Sequence, residues 1–98
     1  MQIKIDRQSD AIVVTLTGRL DTNTSAELDK ELVSTDPKCD LVLDFCGLEY
    51  MSSAGLRLLV AYDKRQKENG KTLVVKNANA VIKEIFGLTG FNKVLTIR

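Results

Sequence analysis

Apolar residues change their spacing several times along this chain, and that alternation limits its fold more than any other feature. Strands send successive side chains to opposite faces, whereas helices return to one face every three to four residues, so each change of period marks a new element. Ile3 and Ile5 alternate with polar neighbours, which predicts a short first strand, and Gln8, Ser9 and Asp10 predict a turn. Ala11 to Thr17 is β-branched and nearly continuous, the pattern of a strand covered on both faces, and Gly18 ends it. Thr24 followed by Glu27 fits a capping box. Leu28, Leu32 and Val33 then give the apolar stripe of a helix that Asp36-Pro37 stops.

Leu41, Val42, Leu43 and Phe45 read as a buried strand. A helix follows Ser52-Ser53-Ala54-Gly55, apolar around Leu56 to Tyr62, solvated from Asp63 to Glu68, and closed by Gly70. Thr72 to Val75 is a further buried strand. Asn77 or Asn79 caps a short helix bearing Val81, Ile82, Ile85 and Phe86, with Gly87 just past its end, and Val94 to Ile97 forms the last strand. The order β-β-α-β-α-β-α-β predicts an α/β domain over residues 1–98: a mostly parallel, mixed sheet of about five strands with three to four helices. The first strand pairs antiparallel with the second through its tight turn. Strand order has no local signature.

Composition narrows the chemistry. The absence of histidine removes Ser–His–Asp and Cys–His catalysis and His-containing zinc sites. Fourteen Lys and Arg stand against thirteen Asp and Glu, so no basic excess points to nucleic acid or to a membrane surface. No apolar run approaches the roughly eighteen residues of a spanning helix, and the first residues lack the pattern of a signal peptide. Cys39 and Cys46 flank the Asp40–Phe45 run, which at about 3.3 Å per residue separates them by roughly 23 Å, beyond disulfide reach. They read as reduced thiols, and the expected location is the cytoplasm. No catalytic residue, metal ligand set or cofactor site is expected, and neither G-x-G-x-x-G nor G-x-x-x-x-G-K occurs.

In an open α/β sheet, partners meet the loops at the carboxyl ends of the strands. Two such loops carry short polar residues: Arg19 to Thr24, with Asp21, Thr22 and Asn23, and Ser52 to Gly55. A serine before a helix is most simply an N-cap, worth ~1 kcal/mol. The sharper reading is a phosphoacceptor, whose phosphate would lie beside free N–H groups and the positive end of the helix dipole. Gly55 would leave room for another chain's backbone. Asp21 reads as a cap or turn residue. Asp44 ends a buried strand, where its carboxylate needs donors from the following backbone. Leu58 and Tyr62, four apart, are core residues or part of a surface that a partner covers.

The residues Leu16-Thr17-Gly18-Arg19-Leu20-Asp21, Leu41-Val42-Leu43-Asp44-Phe45 and above all Tyr50-Met51-Ser52-Ser53-Ala54-Gly55-Leu56 resemble the anti-sigma factor antagonist family, with its STAS fold. The ending Ile85-Phe86-Gly87-Leu88-Thr89-Gly90-Phe91 resembles that family too, so the likeness covers essentially the whole chain. The family's loop usually reads Asp-Ser-Ser-Gly or Asp-Ser-Thr-Gly, and a partner serine kinase, itself the anti-sigma factor, phosphorylates the first serine. Alignment on Gly55 implies Ser53 as acceptor; Ser52 stands where the family has aspartate and is a second candidate, and Ala54 replaces the second hydroxyl. The resemblance implies a non-enzymatic binding switch that docks Asp21, Thr22, Asn23, Ser52, Ser53, Ala54, Gly55, Leu56, Leu58 and Tyr62 on the kinase. Phosphorylation releases it and a phosphatase resets it. The implied free state is a monomer. A different class of function in the same fold is a stand-alone subunit of an ABC-type membrane transport complex, not phosphorylated.

Overall fold

In a computed structural model that describes residues 1–98, β1 (Gln2–Arg7) and β2 (Ala11–Leu20) form an antiparallel hairpin. There follow α1 (Thr22–Val33), β3 (Asp40–Met51), α2 (Ser53–Glu68), β4 (Leu73–Lys76), α3 (Ala80–Thr89), a 3-10 turn (Phe91–Lys93) and β5 (Thr96–Ile97). The sheet runs β1-β2-β3-β4-β5, parallel from β2 onward. This is the element order and mixed sheet that the periodicity predicts, with strand order following chain order.

Burial follows from register. Ile12, Leu41 and Leu73 lie side by side, as do Val14, Leu43 and Val75, and all six are buried on one face. Leu28 and Leu32 of α1, Leu56, Leu59 and Tyr62 of α2, and Ile82 and Phe86 of α3 complete the same apolar cluster. The opposite face, with Val13, Val42, Val74, Thr15, Asp44 and Lys76, is only half-buried. The β2 run is therefore covered on one face, not two. Its open-face valine packs beside cross-strand valines, which favours a branched side chain without helical cover.

Several boundaries differ from the sequence reading. β2 passes through Gly18, whose φ of 108° belongs to glycine, and continues to Leu20. β3 continues past Phe45 to Met51. Val33, at the end of α1, is 69% exposed and outside the core stripe. α3 runs through Gly87 and ends at Gly90, whose φ of 77° is the left-handed conformation of a helix terminus. Asn79, rather than Asn77, caps α3, accepting the Ile82 N–H at 2.9 Å. The last strand shortens to Thr96–Ile97, because Phe91–Lys93 winds into the 3-10 turn and Leu95 N–H is bonded to Phe91.

The polar half of α2 is not all solvated. Gln66 is fully buried and its side-chain amide donates to the carbonyls of Cys39 at 2.8 Å and Thr72 at 3.1 Å, joining α2 to the chain ahead of β3 and β4. Asp63 is also buried and pairs with Lys67 at 2.9 Å. A side chain that satisfies backbone acceptors at strand entrances keeps its polarity at low cost, and leaving those acceptors short of a donor costs about 1–3 kcal/mol. Gln66→Leu keeps the volume and removes both bonds; urea denaturation is expected to show a loss of about 1–2 kcal/mol with an unchanged m-value.

Candidate functional site

The end of β3 is set by two local irregularities. β3 holds one more residue than β2 between the pairs Thr15–Asp44 and Thr17–Gly47, and another between Gly18–Leu48 and Arg19–Tyr50. Such bulges bend a strand and increase its twist. Gly47 fits the first because a Cβ there would meet Thr17 Oγ1 at 2.8 Å. After the second, Leu20 pairs with Met51 and the two strands end together. The Leu20 carbonyl accepts the Ser52 N–H at 2.8 Å.

Each strand end leads into a capped helix. Asp21 is the N-cap of α1: its carboxylate accepts the Asn23 and Thr24 N–H groups at 3.0 Å, and Asp21 N–H donates to Thr24 Oγ1 at 2.8 Å. The capping box is thus Asp21–Thr24, three residues earlier than Thr24–Glu27, because Thr24 Oγ1 also donates to the Arg19 carbonyl at 2.7 Å and is held inside the first turn. The Thr24 backbone N–H, joined by the Asn23 N–H and the charge of Arg19, holds the Asp21 carboxyl below the usual carboxylate range. Thr22 and Asn23 are exposed beside it.

Ser52 is the N-cap of α2, with Oγ accepting the Gly55 N–H at 3.3 Å. Ser53 is the first residue of the helix and is exposed; Ala54 is half-buried, and Gly55 and Leu56 are buried. Gly55 leaves no room for another chain. A Cβ there would come within 2.8 Å of Leu20 Cγ and Cδ2 and 3.1 Å of Met51 Cγ, so the glycine lets α2 sit against its own strand ends. Neither α1 nor α2 has an acidic residue in its first turn. Arg19 and Tyr50, paired across the strand ends, stack with the guanidinium 4.5 Å from the ring centroid. No sequence pattern announces that pair, because the bulges set its register.

Leu58 is half-buried and Tyr62 buried; with Asp29, Val33, Ala61 and Arg65 they line a groove of about 360 Å³ between α1 and α2. Tyr62 Oη donates to Asp29 Oδ1 at 2.6 Å, and burial together with that bond raises its phenol to about 12. Arg65 lies 4.8 Å from the Tyr62 ring centroid and donates to the Leu32 carbonyl and Thr35 Oγ1. This tie between the helices was not visible in the sequence, where Arg65 sits in an ordinary charged run. Asp44 lies inside β3, on the open face. Burial opposes its charge, but the Asn77 amide and Cys46 N–H, each at 3.0 Å, and Lys76 outweigh it and hold the carboxyl below its ordinary value. The Cys46 bond is the backbone donor expected for Asp44. Cys39 and Cys46 are unpaired. No three His, Cys, Asp or Glu side chains gather as a metal site, and no helix is long and apolar enough to cross a membrane.

The sequence profile described as "Mlab, STAS domain" matches residues 3–97, and the chain belongs to the STAS domain family. The anti-sigma-B factor antagonist of Bacillus subtilis (strain 168) is 27% identical over 99% of this chain and 92% of its own length. The anti-sigma F factor antagonist of Paenibacillus polymyxa is 24% identical over 99% of this chain and 86% of its own. Among solved structures, the anti-sigma factor antagonist SpoIIAA in its unphosphorylated form superposes with a TM-score of 0.78 at 13% identity, covering 99% of this chain and 87% of that one. The phosphorylated form of the Bacillus cell fate determinant SpoIIAA has the same TM-score at 14% identity, over 99% of this chain and 91% of that one.

Two measurements test this geometry. Gly55→Ala gains helix propensity of about 1 kcal/mol but overpacks Leu20, which costs about 1–3 kcal/mol. A net loss of about 1 kcal/mol in urea is expected, and an equal or higher midpoint would show that the space exists. A carboxyl held below its unfolded value of 3.8 adds stability that is complete above that pH and lost as the pH falls through the folded value. Asp44→Asn removes its share, so the variant's unfolding midpoint should drop less than the parent's between about pH 5 and about pH 3.

Proposed function

We propose that this chain is an anti-sigma factor antagonist: a phosphorylation-controlled binding module, not an enzyme, that docks in its unphosphorylated form on a serine-kinase anti-sigma factor in the cytoplasm and releases that kinase's target. One observation carries the reading. Ser53 offers an exposed hydroxyl at the first position of α2, while its neighbour Ser52 has its oxygen engaged by the Gly55 N–H. The names of the relatives support the assignment.

In this reading Asp21, Thr22 and Asn23 form the docking surface with Ser52, Ser53 and Ala54. Gly55 and Leu56 support it from beneath, and Leu58 and Tyr62 extend it into the groove between α1 and α2. The kinase transfers the γ-phosphoryl of ATP to Ser53 Oγ, the bond to ADP breaks, and the hydroxyl proton leaves to a base of the kinase. The modification adds about two negative charges, taking the net charge from +1 to roughly −1. A phosphate buried in the interface with no cation of the kinase opposite it costs several kcal/mol, and ~4 kcal/mol weakens binding about a thousandfold. Both helix caps are already formed, so release requires no refolding. A phosphatase restores the hydroxyl, and the free protein is a monomer.

The test is incubation with serine-kinase anti-sigma factors and ATP, read by intact mass and peptide mapping. One phosphate on Ser53 is expected; Ser53→Ala should stay bound with ATP present, and Ser53→Asp should bind weakly. No phosphate on either serine would sink the switch, and capture of a transport ATPase with its permease instead would identify a constitutive transporter subunit.

A further inference from the structure

Ser53 and Arg57 are the exposed residues at the start of α2, separated by half-buried Ala54 and buried Gly55 and Leu56. Four apart, they share the outward face, where Cβ atoms lie roughly 5–6 Å from each other. The order is the favourable one, with the acidic position N-terminal to the basic one. Two neighbouring charged groups at this end are committed, while Glu49 is exposed. Arg19 stacks on Tyr50, and Asp21 accepts the first N–H groups of α1. Arg57 forms neither an ion pair nor a side-chain hydrogen bond nor an aromatic stack, although it is a cation one turn from a helix start without an acid.

We propose that Arg57 is the internal counter-ion of phosphorylated Ser53, a role that rests on Ser53 being the acceptor. Phosphate oxygens at position 53 accept from the guanidinium across one helical turn, a charge-assisted contact that arginine's planar fork suits. Ser52 has no equivalent: it precedes Ser53 by one residue, a rotation of about 100° about the axis away from Arg57. Modification therefore alters the docking face twice. It adds an anion at 53 and withdraws a free cation at 57, so a partner meets an unpaired guanidinium before phosphorylation and a closed ion pair after it.

The test uses the full chain with phosphoserine inserted at position 53 during translation, so no kinase is needed, and follows the phosphate by ³¹P NMR across its second ionisation. The parent phosphoprotein should titrate about 0.4 pH unit below its Arg57→Gln variant. Arg57→Lys should recover part of that difference, and about 0.5 M NaCl should shrink it. Phosphoserine at position 52 should be indifferent to Arg57. Before modification, Arg57→Gln should melt like the parent, as expected for an exposed, unpaired side chain. Coincident titrations of the parent and Arg57→Gln, or a larger change from Arg19→Gln, would overturn the role of Arg57. Failure of kinases to modify Ser53 would instead overturn the functional reading, and the two failures are separately visible.

Discussion

The parallel pairing of Leu20 with Met51 decides where two helices begin. Because the two strands finish side by side, their next residues, Asp21 and Ser52, are neighbours, and each caps the helix that follows. The Leu20 carbonyl takes the Ser52 N–H, and the Leu20 side chain fills the space that Gly55 leaves. A loop of four short residues is thereby fixed from below by the core. The exposed hydroxyl of Ser53 is held in place by a strand–strand contact rather than by its own loop.

The elements were legible where burial repeats at a constant period. Leu28 and Leu32 of α1, and Leu41, Leu43 and Phe45 of β3, lie in the core, whereas the continuous run Ala11–Thr17, read as covered on both faces, buries only Ile12, Val14 and Leu16. Strand ends were not legible, because there the period is deliberately broken. Gly18 and Gly47 look like punctuation, yet both sit inside strands, one at a positive φ and one against Thr17, where the bulges add residues to β3. Gln66 and Asp63 were read as solvated because a polar residue's partners across the fold leave no mark on its own neighbours in sequence. The helix start after Ser52 was legible, but the role of Gly55 was not: the same glycine suits a visiting backbone or a close internal contact, and only Leu20 distinguishes them.

Support for the loop is separate from its chemistry. The bonds linking α1 to α2, from Tyr62 to Asp29 and from Arg65 to the Leu32 carbonyl and Thr35, lie along the helices away from the capping residues. The polar bonds at the loop are backbone donors held by Asp21 and Ser52. In the proposed switch, a charge arriving on Ser53 meets none of the bonds that align the two helices, so the scaffold can stay the same while its surface changes sign.

Each new strand is added on the same side of the last, so the chain winds in a single direction and stacks its helices on one face. In doubly wound sheets the direction reverses, and the crevice that holds a small molecule opens where the two windings part. A singly wound sheet has no parting. Its strand ends make a rim instead of a mouth, with residues 21–23 and 52–54 along it. In the proposed switch, whatever encloses the Ser53 hydroxyl during phosphoryl transfer must then come from the visiting protein, which brings the cavity to the rim.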